Sequence, residues 1–158
     1  MPNWCDNSFS VSHSDPEMVR KFVEGVNSGS LFESLVPLSS GEWDYNTALD
    51  EWGTKWDVSE GHAEIDSDGL SATGWFMTAW GPGTEAYRRL VELGFDLDVL
   101  YHEPGCCFSG RYNGTDGDYC VEYNFDDPNW REDIEDKEIL DRLEAEYESW
   151  LGNEEENG

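Results

Sequence analysis

The sequence contains few basic residues and few histidines. Nine Lys plus Arg stand against 36 Asp plus Glu, which gives a formal net charge of −27 over 158 residues, and there are only three histidines. Proteins that bind DNA, RNA or anionic membranes rely on surplus Lys and Arg. We therefore expect no direct binding to nucleic acid or to a membrane.

Long apolar runs and targeting signals are also lacking. No run approaches the roughly 18 consecutive apolar residues of a membrane span. The first ten residues, MPNWCDNSFS, contain neither the basic region nor the apolar stretch of a signal peptide. The sequence thus predicts a soluble cytoplasmic protein in which the four cysteines are free thiols.

Catalytic and metal-binding motifs are missing. His13, His62 and His102 do not occur in HxH or HExxH spacing, and the cysteines do not occur in CxxC spacing. There is no phosphate-binding glycine loop and no GxSxG nucleophile motif. We expect a non-enzymatic protein with no cofactor and no metal site.

Aromatic residues, by contrast, are abundant. They account for 14% of the chain and include eight Trp. Because each ring can bury a large apolar area, this content argues against a disordered chain. The length fits one domain of ordinary size, which at roughly 150 residues buries about two-thirds of its unfolded surface.

Periodicity predicts an α+β domain over residues 1–125. Residues 7–13 alternate as in a half-buried strand, and a helix follows with Ser14 or Asp15 as its cap, Pro16 at its first position and Gly29 at its end. A second long helix is expected from Thr84 to Gly94 and a brief one over 47–52. Further strands are predicted over 31–38, 55–58, 62–65, 70–80, 95–102, 107–112 and 119–125. This order favours a ferredoxin-like antiparallel sheet with two helices on one face and an added C-terminal hairpin.

The last third of the chain is strongly acidic. Residues 126–158 hold 14 acidic and three basic residues. Within them, Ile134, Ile139, Leu143 and Tyr147 fall near helical spacing. The pattern predicts an acidic amphipathic helix that starts after Pro128, within residues 126–152, and a disordered tail over 153–158.

Four groups of residues form a recognisable set: MPNWC at 1–5 with Asn7, WGTKW at 52–56, TAWGP at 78–82, and Tyr101 with EPG at 103–105, Phe108 and Gly110. Together they resemble the YubB-type ferredoxin-like domain of phages and mobile elements. The resemblance covers roughly residues 1–125 and implies a ferredoxin-like fold and a mobile-element origin, but no catalytic residues. The chain departs from that pattern at Gly83, where the family usually has a second proline, and in its acidic C-terminal helix.

The WGTKW segment invites two interpretations. Trp52 and Trp56 flank a turn in which Gly53 permits a positive φ, which is typical of a folding motif that fixes this segment on the sheet. Alternatively, the rings line the pocket of a small-molecule-binding protein or of an enzyme. The residues proposed for that pocket are Trp52, Lys55, Trp56, Trp80, His102 and Glu103.

The negative charge has two explanations as well. A compact fold of this length has a diameter of roughly 40 Å, and B-DNA of that length carries about 24 phosphate charges. The charge of −27 therefore matches the duplex segment that the protein would displace from a basic partner. Alternatively, it reflects solvation in concentrated salt, where the Debye length is only about 3 Å.

From these features we expect a phage or mobile-element accessory protein that binds a basic surface of a host protein. Nucleic-acid-like mimicry of this kind would inhibit a nucleic-acid-handling or anti-phage defence enzyme. The predicted contacts lie on the C-terminal helix, where order and charge density combine: Glu132, Asp133, Glu135, Asp136, Glu138, Asp141, Glu144 and Glu148.

Overall fold

The computed structural model describes residues 3–132 and 134–157, with side chains as far as Gly152. In this part of the chain six strands form one sheet in the order β2-β3-β1-β4-β5-β6, and all neighbouring strands are antiparallel. The α+β class and the antiparallel sheet are thus confirmed. The strands are β1 (Trp4–Ser12), β2 (Ser59–Ile65), β3 (Ser71–Ala79), β4 (Asp96–Glu103), β5 (Phe108–Asn113) and β6 (Gly117–Glu122).

Five helices accompany the sheet in the described residues: α1 (Pro16–Ser28), α2 (Leu31–Leu35), α3 (Tyr45–Glu51), α4 (Thr84–Glu92) and α5 (Lys137–Asn157). Helix α1 agrees with the prediction. The Asp15 carboxylate accepts a hydrogen bond from the N–H of Glu17, Pro16 occupies the first turn, and Gly29 ends the helix with φ of 76°. These capping signals are local, because each residue lies within one turn of the helix end that it fixes.

The main core lies between α1, α4 and one face of the sheet. Phe9 and Val11 of β1 point toward Phe22 of α1 and Leu90 of α4, and all four side chains are buried. Because successive side chains of a strand point to opposite faces, Ser8, Ser10 and Ser12 lie on the other face. The alternation read from residues 7–13 therefore gives the correct inward face.

A second, smaller core lies on the opposite face, where α5 packs against the half of the sheet formed by β4, β5 and β6. Ile139 and Leu143 of α5 are buried there, and Leu100 of β4 and Val121 of β6 pack against them. The apolar stripe read from the sequence thus attaches the acidic helix to the sheet.

The predicted strand over residues 31–38 is wrong, because Leu31–Leu35 form helix α2. A short apolar run does not distinguish a strand from a helix by its pattern alone. The Asp57 carboxylate stabilises the helix, because its two oxygens accept hydrogen bonds from the N–H groups of Phe32 and Glu33, each at 2.9 Å.

The predicted strand over residues 55–58 is also wrong, since residues 55–57 form bends and the strand β2 begins only at Ser59. The bends follow α3, whose carboxyl end is closed by Gly53 at φ of 79°. A Cβ at position 53 would stand 3.2 Å from the backbone nitrogen of Glu85, so the glycine also permits close approach to α4. The hairpin turns predicted at Gly69 and at residues 113–117 are confirmed.

The C-terminal helix begins later than predicted. Residues 128–132 form turns, and α5 starts at Lys137 rather than after Pro128. The Asp136 carboxylate accepts hydrogen bonds from the N–H groups of Glu138 and Ile139, at 3.0 and 3.2 Å, and so fixes the start. The helix continues to Asn157, through most of the segment expected to be a disordered tail.

Candidate functional site

The side of α5 that faces away from the sheet presents carboxylates to solvent. Asp141 and Glu148 are exposed, while Ile139 and Leu143 on the other side of the helix are buried. At a rise of 1.5 Å per residue, the two exposed carboxylates are about 10 Å apart along the helix. Glu132 and Glu135, which precede the helix, are exposed too.

Three of the predicted contact residues instead form ion pairs within the chain. The Arg111 guanidinium lies 3.2 Å from the carboxylate of Asp136 and 2.6 Å from that of Glu138. Arg131 pairs with Glu144 in two hydrogen bonds. These acids anchor the C-terminal segment, so they are less available to a partner than the sequence suggested.

The other predicted contacts have no ion pair within the described part of the chain. They are Glu132, Glu135, Asp141 and Glu148. Asp133 lies outside the described residues. Sequence periodicity could not separate the two groups, because the arginines that decide it come from β5 and from the turn before α5.

All six arginines of the chain pair with carboxylates of the chain itself. Arg142 of α5, for example, lies 2.8 Å from the carboxylate of Asp6 on β1. Lys55 lies over the ring of Trp56, 4.4 Å from its centroid. Lys21 and Lys137 are exposed and have no ion pair within the described residues. The charge offered to the surroundings is therefore predominantly, but not purely, negative.

Exposed carboxylates are not confined to the C-terminal helix. Glu24 on α1, Asp50 on α3, Glu64 on β2 and Glu122 on β6 are all exposed. The anionic surface therefore extends over most elements of the fold, and the outward row of α5 is one regular part of it.

The residues predicted to form a pocket are found in separate surroundings. Lys55 and Trp56 pack together, and the Trp56 ring lies 6.2 Å from that of Trp4 on β1. Trp80 is 52% exposed and has a positive φ of 70° at the end of β3. The Trp52 ring, in contrast, is buried.

His102 lies beneath α5, away from Trp52. Its ring is 2% exposed, stacks on Tyr123 with centroids 5.9 Å apart, and has no hydrogen-bond partner within the described structure. Burial lowers the pKa of His102, and the positive charge of Arg142 lowers it further, while Glu146 acts in the opposite direction from 3.7 Å. The imidazole is therefore neutral at pH 7 and serves as part of the packing.

Glu103 has a structural role in the turn that follows β4. Its carboxylate is buried and accepts hydrogen bonds from the N–H groups of Gly105 and Cys106, at 2.6 and 2.8 Å. It closes the EPG turn noted in the sequence and is shielded from solvent, so it is not available to a small ligand.

The cavity at Trp52 contains residues that the sequence reasoning missed. It has a volume of about 180 Å³, and its walls include Trp43, Glu33, Glu42 and Asp57 besides Trp52. Trp43 is the sequence feature that indicates this cavity. It is a large indole in the polar segment SSGEWD, where no apolar periodicity accounts for an aromatic residue.

The four cysteines lie in two kinds of environment. Cys5 is buried, and Cys106, Cys107 and Cys120 are exposed free thiols. Burial raises the pKa of the Cys5 thiol to about 12. No group of three or more His, Cys, Asp or Glu side chains that could hold a metal ion occurs in residues 3–132 and 134–152.

The sequence matched no known family model, no curated protein and no solved structure. In the described part of the chain, no helix has both the length and the apolar character needed to cross a membrane.

Proposed function

We propose that this protein is a non-enzymatic binding protein whose anionic surface docks on a basic surface of a partner protein. The pairing of all six arginines with carboxylates of the chain supports this proposal most directly. A partner therefore meets mostly carboxylates, although Lys137 at the start of α5 is an exposed cation beside them. Association then releases counterions and weakens as salt rises, as it does for DNA-binding proteins on DNA.

The contact surface that we propose centres on the outward row of α5. Asp141 and Glu148 on α5, and Glu135 just before it, are exposed and have no ion pair within the described residues. The helix itself is fixed to the sheet by its buried stripe. Carboxylates on a packed helix keep their spacing, which lowers the ordering cost of binding. Asp136, Glu138 and Glu144 then act as anchors of the segment.

The fold assignment is part of the same proposal. The first four strands stand in the order β2-β3-β1-β4, with α1 between β1 and β2 and α4 between β3 and β4. This order supports a ferredoxin-like core to which β5, β6 and α5 have been added. The motifs that resemble YubB-type domains support a phage or mobile-element origin, with the partner a nucleic-acid-handling or defence enzyme of the host.

The binding proposal can be tested with a deca-arginine peptide as the probe. We expect saturable binding that weakens steeply between about 0.05 and 0.2 M salt, as counterion release requires. The triple variant Glu135→Gln, Asp141→Asn, Glu148→Gln should bind more weakly than the unchanged chain. A matched variant, Glu24→Gln, Asp50→Asn, Glu122→Gln, removes the same charge from other elements and should bind more tightly than the first.

Two results would contradict the proposal. Equal affinity of the two triple variants would mean that the charge acts as a diffuse cloud with no site on α5. Absence of measurable binding at the lowest salt would leave solvation in concentrated salt as the explanation of the charge.

A further inference from the structure

The cavity between Trp43 and Trp52 combines aromatic rings with negative charge. We refer to it as the indole cavity; besides the two rings, its walls include Leu38 and the side chains of Glu33, Glu42 and Asp57. Trp43 is 53% exposed at its mouth, whereas Trp52 is 4% exposed at its base. The cavity is thus open to solvent on one side and apolar at depth.

The size of the indole cavity restricts what it can hold. Its volume is about 180 Å³. Sites for drug-sized ligands and cofactors usually measure about 300–1,000 Å³. The cavity is therefore suited to one side chain or to a similarly small molecule.

The chemistry of the walls selects a cation. The faces of indole rings carry negative electrostatic potential and attract ammonium and guanidinium groups within about 6 Å of the ring centroid. Glu33 and Glu42 have no ion pair in the part of the chain that the structure describes. Burial raises the pKa of Asp57, although three backbone N–H groups act in the opposite direction. Such an environment gains from a positive charge beside the carboxylate.

None of the described residues that line the indole cavity carries a positive charge. Arg89 comes near, but its guanidinium donates to the carbonyl oxygens of Val36 and Pro37 at 3.0 and 3.1 Å and lies 3.9 Å from Glu51. This site therefore differs from those around Arg111 and Arg131, where carboxylates have cationic partners from the chain.

The walls are held in position before any ligand arrives. The indole N–H of Trp43 donates to the carbonyl oxygen of Lys55, and that of Trp52 donates to the carbonyl oxygen of Val36, each at 2.8 Å. Ser39, in the loop that leads to Trp43, donates its backbone N–H to the carboxylate of Glu51 at 2.9 Å. Rings fixed in this way lose little freedom when a ligand binds.

We propose that the indole cavity binds the side-chain cation of one lysine or arginine of the basic partner. This inference rests on the proposed function and adds to it a second, shaped contact, which lies on the main-core side of the sheet, opposite the face that α5 covers. The ring faces would contact the alkyl stem and the cationic group, and Glu33 and Glu42 would pair with the charge at the mouth. A shaped contact of this kind discriminates between basic partners in a way that charge alone does not.

The test uses small probes and the two indole N–H signals of Trp43 and Trp52 in NMR spectra. We expect N-acetyl-lysine methylamide and N-acetyl-arginine methylamide to shift both signals saturably. N-acetyl-norleucine methylamide, which has an alkyl side chain without charge, should leave them unchanged. Equal shifts with the norleucine probe, or no saturable shift with the charged probes, would overturn the proposal.

A matched pair of variants separates the cavity from the overall charge. The double variant Glu33→Gln, Glu42→Gln should weaken binding of the charged probes about tenfold, because each partly exposed ion pair contributes on the order of threefold. The variant Glu24→Gln, Glu122→Gln removes the same charge elsewhere and should bind the probes as the unchanged chain does. An equal loss in both variants would contradict a contact at the cavity.

Two further results identify where the cation comes from and which proposal fails. Tighter binding of free spermidine than of either amino-acid probe would overturn the assignment to a partner side chain in favour of a free polyamine. Capture of deca-arginine through α5 without any shift of the two indole signals would refute the cavity inference while the proposed function stands. Probe binding without deca-arginine capture would refute the proposed function and, with it, the partner as the source of the cation.

Discussion

Replacing Asp57 by alanine tests how a residue distant in sequence holds α2 in place. The carboxylate accepts hydrogen bonds from the N–H groups of Phe32, Glu33 and Val58, at 2.9, 2.9 and 2.8 Å. The residue that precedes α2, Ser30, makes no capping bond from its side chain. Asp57 is therefore the side chain that caps this helix, although it stands 24 residues beyond Glu33 in the chain.

The expected loss follows from these bonds. Loss of a helix N-cap costs about 0.5–2 kcal/mol, and a buried donor left without a partner costs about 1–3 kcal/mol. In the unchanged chain, burial of the charged carboxylate costs free energy and so offsets part of the stabilisation that these hydrogen bonds provide. We expect Asp57→Ala to lower the free energy of unfolding by about 2–3 kcal/mol.

The pH dependence of this loss has a definite sign. Burial raises the folded-state pKa of Asp57 above its ordinary value of 3.8. The folded protein thus holds that proton more tightly than the unfolded chain does, so the stability contributed by Asp57 is greatest below the unfolded pKa and declines as pH rises through the folded pKa. The loss caused by Asp57→Ala should therefore be larger at about pH 5 than at about pH 8.

Urea unfolding followed by tryptophan fluorescence at the two pH values measures both quantities. Asp50→Ala on α3 is the control, since Asp50 is exposed and its replacement should change the free energy of unfolding by less than about 0.5 kcal/mol. A loss for Asp57→Ala as small as that of the control would show that the three hydrogen bonds do not hold α2. A larger loss at about pH 8 than at about pH 5 would refute the argument from burial.

Two more predictions concern α5 and the thiols. Leu143→Ala should lower the free energy of unfolding by about 2–5 kcal/mol because Leu143 of α5 is completely buried against the sheet, whereas Leu151→Ala, at a 39% exposed position, should change it little. Equal effects in urea unfolding would show that α5 does not pack as described. A thiol reagent at neutral pH should modify Cys106, Cys107 and Cys120 in the folded protein and Cys5 only after denaturation, because Cys5 is buried and its pKa is raised to about 12. Rapid modification of all four thiols without denaturant would contradict the buried position of Cys5.

Several features were readable from the sequence because their causes are local. Helix α1 has its cap at Asp15, Pro16 in its first turn and Gly29 at its end, and each of these residues is adjacent in sequence to the helix end that it fixes. The alternation in β1 likewise records which side chains meet the core. The excess of carboxylates is a property of composition and needs no structure to be seen.

Other features depended on residues that meet only in the folded chain. The sequence predicted a strand where α2 forms, because its cap, Asp57, comes from a later loop. Nothing in the sequence distinguishes the eight C-terminal carboxylates from one another. In the fold, ion pairs with two arginines separate three of them from the rest: Arg111 of β5 pairs with Asp136 and Glu138, and Arg131 pairs with Glu144. Composition determined that the surface is acidic, and tertiary structure determined which acids remain unpaired, because pairing requires two distant segments to place opposite charges within a few ångströms of each other.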